Sequence, residues 1–507
     1  MSAFSRILML RRRRALSIAP TALLCALLSQ SFLNPAPAFP QDSSRPPQLS
    51  PAAAYEKVWQ PVVLTRASVA NWSDSELGAL AVAIADAQLE CAARSPQMFR
   101  GDDLIALARL CSLGQQWSSV SVAATQYIDS AETPKPLLAQ AYALKVDAAL
   151  QLRDEPAALA TSRAMLAAVP YDTTVDQALN ESLHYMQIAF MADALSLYAA
   201  REPFLLAGLR GQGAAKPVPA GPSLSAGSTN STGPVGAANP ADTVPVSALY
   251  ADGLAYAALE QFAGKPAKAA SIVQEIDSAL ASAPTPLTPD DAIPIADARR
   301  QYALLGKPLP TIPIAVSLYA EHESPRINTN YGDSTVLLLF PPWCAQCVRM
   351  GQGFMSTLFR LNSSEDSVHL YGLLAQEPPP VPATPEVIVH SNGSMSAAKR
   401  SRSASSRANA APEAAPAPET PKTAAELLRH TPTLIVPVDT LKQFAATSFP
   451  LLIATDSQGV VRFIQPAPET ALNPGDFLDQ VTTHIAKQWP RPKHQTGARN
   501  TAPPSTP

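Results

Sequence analysis

The sequence predicts a multidomain chain, an all-α helical array followed by an α/β domain. Three observations carry this. The chain has 507 residues, and one hydrophobic core rarely grows past roughly 250 to 300 residues, so at least two folded units follow. From about Asp74 to Leu209, Ala and Leu recur at three- and four-residue spacing with almost no strand-like alternation, as helices that bury one face require. After Leu305 short β-branched runs alternate with helical segments, which predicts a sheet with some βαβ crossovers.

Composition narrows the classes. A hydrophobic share of 47% is ordinary for globular protein, whereas a charged share of 16% and 51 prolines call for polar, Pro-rich linkers between folded parts. The net charge of -3 supplies no global attraction to phosphates, so no nucleic-acid partner is expected.

At the N-terminus, Arg11 to Arg14 make a positive n-region, Ala15 to Leu33 an apolar h-region and Ala36-Pro37-Ala38 a small-residue cleavage site. Residues 1–38 therefore read as a secretory signal peptide. Left uncleaved, the same run, interrupted by Thr21, Ser29 and Gln30, is marginally long enough to act as a membrane tether. Cys25 follows Leu24 rather than a small residue, which argues against lipidation. The expected location is periplasmic or secreted, with residues 39–73 as a linker. Four cysteines remain, Cys91, Cys111, Cys344 and Cys347, and in an oxidising compartment each should be paired, catalytic or buried.

The helical domain is expected over 74–305. Its organisation is plainest in LAQAYALKVDAALQLRDEPAALATSRAMLAAVP, Leu138 to Pro170. One helix ends near Arg153-Asp154, a second begins around Glu155, small Ala157 and Ala158 permit close helix approach, and Pro170 closes the unit. The segment resembles a tetratricopeptide repeat, whose helix-turn-helix units stack because none buries its apolar face alone. Asp103 to Ile128, turning at Gly114, and Ser247 to Leu280, turning at Gly264-Lys265-Pro266, are similar. A generic α-bundle is the plainer alternative. If Asp102 caps the second helix and the turn centres near Phe99, Cys91 and Cys111 lie about one helical turn out of opposition, and a disulfide between them stays open. Buried free thiols in an Ala-rich repeat are the favoured reading.

Two low-complexity inserts are expected to be disordered. Residues 211–244 are mostly Gly, Ser, Pro and Ala with only Lys216 and Asp242 charged, and 377–422 carry PPPVP, APEAAPAPETP and a basic patch at Lys399, Arg400, Arg402 and Arg407. Neither buries enough apolar surface to order itself. The tail 488–507 is read the same way.

The α/β domain is expected over 308–487. Strand-like runs, mostly apolar, are predicted at Ile312 to Tyr319, Thr335 to Phe340, Val368 to Ala375, Leu434 to Val438, Leu451 to Thr455 and Val460 to Ile464. Helices are predicted at Val348 to Leu361, Ala424 to Arg429, Leu441 to Ala446 and Pro474 to Gln488. The turn TDSQG makes the last two strands a hairpin at the sheet edge. Asp456 there and Glu365 read as turn and solvent residues.

Within TVLLLFPPWCAQC, Thr335 to Cys347, a Cys-x-x-Cys pair leaves a buried strand and opens a helix. A sulfur at a helix N-terminus faces unpaired N–H groups that stabilise a thiolate, and a second one turn on reaches back to resolve a mixed disulfide. Cys344 is thus the expected nucleophile and Cys347 the resolving thiol, with Trp343 packed beside them. Zinc would need a second ligand pair, and the seven histidines are scattered, so no metal is expected. A peroxidatic cysteine would want a threonine where Pro341 sits. Two inert buried thiols, or a structural disulfide in an inactive domain, stay open.

STVLLLFPPWCAQC resembles the active-site strand, loop and helix start of the thioredoxin-like superfamily. TSFPLLIATDSQGVVRFI, Thr447 to Ile464, is similar to the second half of that fold. The order, the long spacing and the hairpin are most similar to its TlpA-like extracytoplasmic branch. The resemblance implies that Pro450 is a cis-proline facing the cysteines and that Phe449 offers backbone N–H and C=O to an extended substrate. The chain departs from the family in three places. Leu338 stands where thioredoxin has a buried aspartate, Ala345-Gln346 lacks the usual proline, and Met350 and Gln352 replace an acidic residue and a proline.

The function expected on these grounds is an extracytoplasmic thiol-disulfide oxidoreductase acting on protein thiol or disulfide clients, with the helical repeats binding partners. No flavin, nicotinamide or quinone signature is present, so no cofactor is expected, and a reductase would need a membrane electron donor. The alternative is a non-enzymatic scaffold whose thioredoxin-like part is an inactive docking module.

Overall fold

The computed structural model describes residues 49–68, 74–131, 134–211, 243–318, 327, 333–353, 356–357, 368–376, 423–466 and 474–490. The expected signal segment or anchor, the insert 377–422, nearly all of the insert 211–244, Glu365 and the chain beyond 490 lie outside the described residues. Among the described residues are fifteen α-helices and one six-stranded mixed sheet in the C-terminal part. The chain divides into two compact units, residues 1–204 with 213–244, and 205–212 with 245–507.

The first unit is helical: α1 (Pro51–Ser68), α2 (Asp74–Ala92), α3 (Asp102–Leu113), α4 (Trp117–Asp129), α5 (Leu138–Leu152), α6 (Glu155–Ala168), α7 (Thr173–Met186) and α8 (Met191–Leu209), which continues across the division. Local chemistry sets the helix ends. Asp154 caps α6 by accepting the N–H of Ala157, and Asp172 caps α7 by accepting that of Val175, which satisfies donors that no helical carbonyl reaches. Arg153 ends α5 in the left-handed region at φ 59°. Gly114 lets the α3–α4 turn run against α2, since a Cβ there would lie 2.6 Å from the backbone nitrogen of Gln88.

Helix α1 corrects the expectation of a linker over 39–73. Pro61 inside it and a nearly even spread of apolar residues mask its periodicity, yet Ala54, Val58 and Val62, four apart, are buried against Leu80, Ala83 and Ala87 of α2. The favoured free thiols are also corrected: Cys91 and Cys111 are disulfide-bonded, with Cα atoms 5.1 Å apart. Between their helices a 3₁₀ turn at Pro96–Met98 and Gly101 at φ 53° alter the phase that two directly joined helices would have. Both cysteines consequently sit in one core with Leu104, Leu107, Val120 and Ala123.

Farther along, α7 and α8 enclose a buried charge. Arg201, fully buried, donates to Tyr171 Oη and Asp176 Oδ1 at 2.6 Å each and to Asn180 Oδ1 at 2.8 Å. Tyr171 in turn donates to Asp176 at 2.6 Å. A buried guanidinium is tolerable only when its donors find partners of this kind.

The second unit joins helices to the sheet. It holds α9 (Val246–Phe262), α10 (Pro266–Ala281) and α11 (Pro289–Tyr302), then β1 (Val316–Ser317), β2 (Ser334–Phe340), α12 (Ala345–Gln352), β3 (Val368–Ala375), α13 (Ala424–Leu427), β4 (Thr433–Val436), α14 (Asp439–Gln443), β5 (Leu451–Thr455), β6 (Val461–Pro466) and α15 (Pro474–Gln488). The expected domain break between 305 and 308 is therefore not where the compact units separate. The Phe262 ring at the end of α9 meets Phe463 of β6 at 5.0 Å, and His484 of α15 donates from Nε2 to the Phe262 carbonyl at 2.6 Å. The chain after α11 also bonds to the sheet edge, with Gly306 N to Val461 O and Leu309 N to Gly459 O both at 2.8 Å.

The sheet order is β1-β4-β3-β2-β5-β6. Strands β2, β3 and β4 are parallel, and β1, β5 and β6 run antiparallel to their neighbours. All seven residues of β2 are buried, as a central strand covered on both faces requires. β1 is shorter than the predicted Ile312 to Tyr319 because Pro310 and Pro313 precede it and lack a ladder N–H. Asp456 is a turn residue as expected but is buried: its Oδ1 accepts the N–H groups of Gln458 and Val460, and its Oδ2 accepts Arg462 Nε at 2.8 Å. No described helix is long and apolar enough to cross a membrane.

Candidate functional site

Of the five residues singled out from sequence, Trp343, Cys344 and Cys347 follow β2, and Phe449 and Pro450 precede its antiparallel neighbour β5. β2 delivers its C-terminal end at Phe340 into the loop Pro341-Pro342-Trp343. The loop is tight, with Cys344 N donating to Pro341 O at 3.2 Å and Ala345 N to Trp343 O at 3.0 Å. Helix α12 then begins at Ala345. Strand β5 pairs antiparallel to β2 with Leu339 opposite Leu451, so the residues just before β5, Phe449 and Pro450, lie at the end of the sheet from which the loop emerges. The Phe449–Pro450 peptide is cis. The rings of Trp343 and Phe449 close the arrangement at 5.4 Å and 87°, edge to face.

Cys344 and Cys347 are joined by a disulfide with Cα atoms 5.2 Å apart. Their surroundings differ. Cys347 is 1% exposed in the first turn of α12, whereas Cys344 is half-buried. Cys344 is also the N-cap of α12, its Sγ accepting the N–H of Cys347 at 3.3 Å. A free N–H of a first helical turn directed at sulfur favours negative charge there. Such a pair can exchange with an incoming thiolate at the open sulfur and release the buried one.

In residues 340–353 only Arg349 is charged, and residues 444–455 contain no charged residue. Leu338, at the position where the resemblance implies an aspartate, is 2% exposed and pairs with Gly372 and Leu452. Among the described residues no group of three or more His, Cys, Asp and Glu is placed to hold a metal ion. Helix α12 reaches Gly353 as its C-cap, residues 356–357 are again helical, and the rest of the stretch predicted as helix to Leu361 lies outside the described residues.

Sequence reasoning assigned Phe449 a backbone role and missed its side chain. The available signal was an aromatic residue directly before the proline that opens a strand. Compared with known protein families, characterised proteins and solved structures, the chain has no match.

Proposed function

We propose that the chain is an extracytoplasmic thiol-disulfide oxidoreductase. In this reading the sheet and its helices form a thioredoxin-like domain of the TlpA-like kind, and the helical array is a TPR-like region that recruits the protein client. The observation that carries it is the unequal burial of two bonded sulfurs three residues apart, the open one capping a helix.

The oxidised pair accepts two electrons. A client thiolate attacks Sγ of Cys344, the bond to Cys347 breaks, and Cys347 leaves as a thiolate. The client's second thiolate then attacks its own sulfur in the mixed disulfide and frees Cys344, so the client gains a disulfide and the pair becomes a dithiol. Run in reverse, the Cys344 thiolate attacks a client disulfide, and Cys347 resolves the intermediate. Turnover as a reductase requires a dithiol donor, supplied in this reading by a membrane partner. No resident cofactor enters either direction.

The test is turnover on a protein disulfide. Purified protein with a dithiol donor is expected to reduce an insulin-like disulfide, and Cys344→Ser to abolish this. Equal rates from wild type and Cys344→Ser favour the scaffold reading, in which partner binding alone is the function.

A further inference from the structure

We infer that the side chain of Phe449, set at a right angle to Trp343, selects clients by the residue beside their reacting cysteine; this rests on the oxidoreductase reading above. Trp343 is 72% exposed, and its ring stands perpendicular to that of Phe449 with centroids 5.4 Å apart. Trp343 precedes the open sulfur of Cys344 directly, so a client engaged there brings its own neighbouring side chain to this aromatic corner. Two perpendicular rings offer apolar walls to an aliphatic side chain, and desolvating them is favourable.

A client carboxylate meets the opposite conditions. Ring faces carry the negative side of the aromatic quadrupole, and an ionised group loses hydration against them. The one charge in the two flanking segments is Arg349, exposed on α12. If Arg349 controlled recognition, acidic clients would be preferred. The geometry of the rings points to the reverse order.

The experiment uses the full chain, reduced and freed of reductant, in single turnover against three disulfides. Two are peptides carrying a glutathione-capped cysteine, identical except for Leu or Glu just before it. The third is bis(2-hydroxyethyl) disulfide, too small to reach the corner. The Leu peptide is expected to react about tenfold faster than the Glu peptide, the scale of discrimination a single apolar contact gives. Trp343→Ser, at an exposed position, and Phe449→Ser should each bring that ratio near one, while Phe449→Tyr keeps it. A wild-type ratio near one, a preference for Glu, or a ratio that survives both serine variants overturns the inference. Failure of the wild type to reduce any of the three removes the oxidoreductase reading itself.

Discussion

The backbone N–H of Cys347 donates to Sγ of Cys344 at 3.3 Å, so the half-buried sulfur of the pair is the one that caps α12, while its partner is sealed within the same turn. Accessibility and charge stabilisation therefore favour the same atom. Once the pair is reduced, Cys344 is expected to alkylate at least about tenfold faster than Cys347, because thiolate character and exposure together set the rate. Timed iodoacetamide labelling read by peptide mass spectrometry checks this, and labelling led by Cys347 contradicts it.

The second disulfide serves stability. Cys91 and Cys111 are 2% and 1% exposed, and their bond closes a loop over a sequence separation of 20, which on the chain-entropy account stabilises by about 3 kcal/mol. Replacing both with Ala should lower stability against urea by about that amount. Mild reductant that opens Cys344–Cys347 should leave this bond intact, as mass mapping after native labelling will show.

Asp176 neutralises a guanidinium that has no route to solvent. Asp176→Ala leaves Arg201 charged, fully buried and short of its carboxylate, with an expected loss of about 3 to 5 kcal/mol. The double variant with Arg201→Met should lose less than Asp176→Ala alone, since no unpaired charge remains. Urea unfolding of the three variants decides between these outcomes.

Tyr250 gives the second unit a basic limit. Burial pushes its phenol up to about 12, against the opposing hydrogen bond from Arg299. The folded state thus holds this proton more tightly than the unfolded chain, whose tyrosines titrate near ~10. That contribution to stability is complete below the unfolded value and is lost as pH rises from there to about 12. Tyr250→Phe should flatten part of the fall in melting temperature over this range, while Tyr185, also pushed up to about 12 mainly by burial, retains its own share.

Gly114 tests the close approach of the α3–α4 turn to α2. A methyl group there would press on the Gln88 backbone, which cannot rotate away, so Gly114→Ala should cost about 1 to 3 kcal/mol. An unchanged urea midpoint would show that the turn has room to shift.

Strands and helices with uninterrupted patterns were legible in the sequence to the residue. Val368–Ala375, Leu451–Thr455 and Pro474–Gln488 form where their apolar period predicts. Elements governed by contacts distant in sequence were not. The burial stripe of α1 reveals itself only against α2, and the Cys91–Cys111 bond depends on a 3₁₀ turn and a positive-φ glycine that no hydrophobic period announces. The break between units escaped notice because α9 resembles the earlier helices, yet ends on Phe262, whose packing partners Phe463 and His484 lie some two hundred residues onward. At the site, the cysteine pair was plain, whereas the Trp343–Phe449 contact requires the β2–β5 register to bring the two rings together.

The most direct test of the central claim is to trap the intermediate. Reduced Cys347→Ala, mixed with a protein disulfide, should accumulate a covalent adduct that reductant dissolves, with the bond mapping to Cys344 by mass spectrometry. Absence of any adduct, or one that maps to Cys91 or Cys111, contradicts the assignment of Cys344 as the exchanging sulfur.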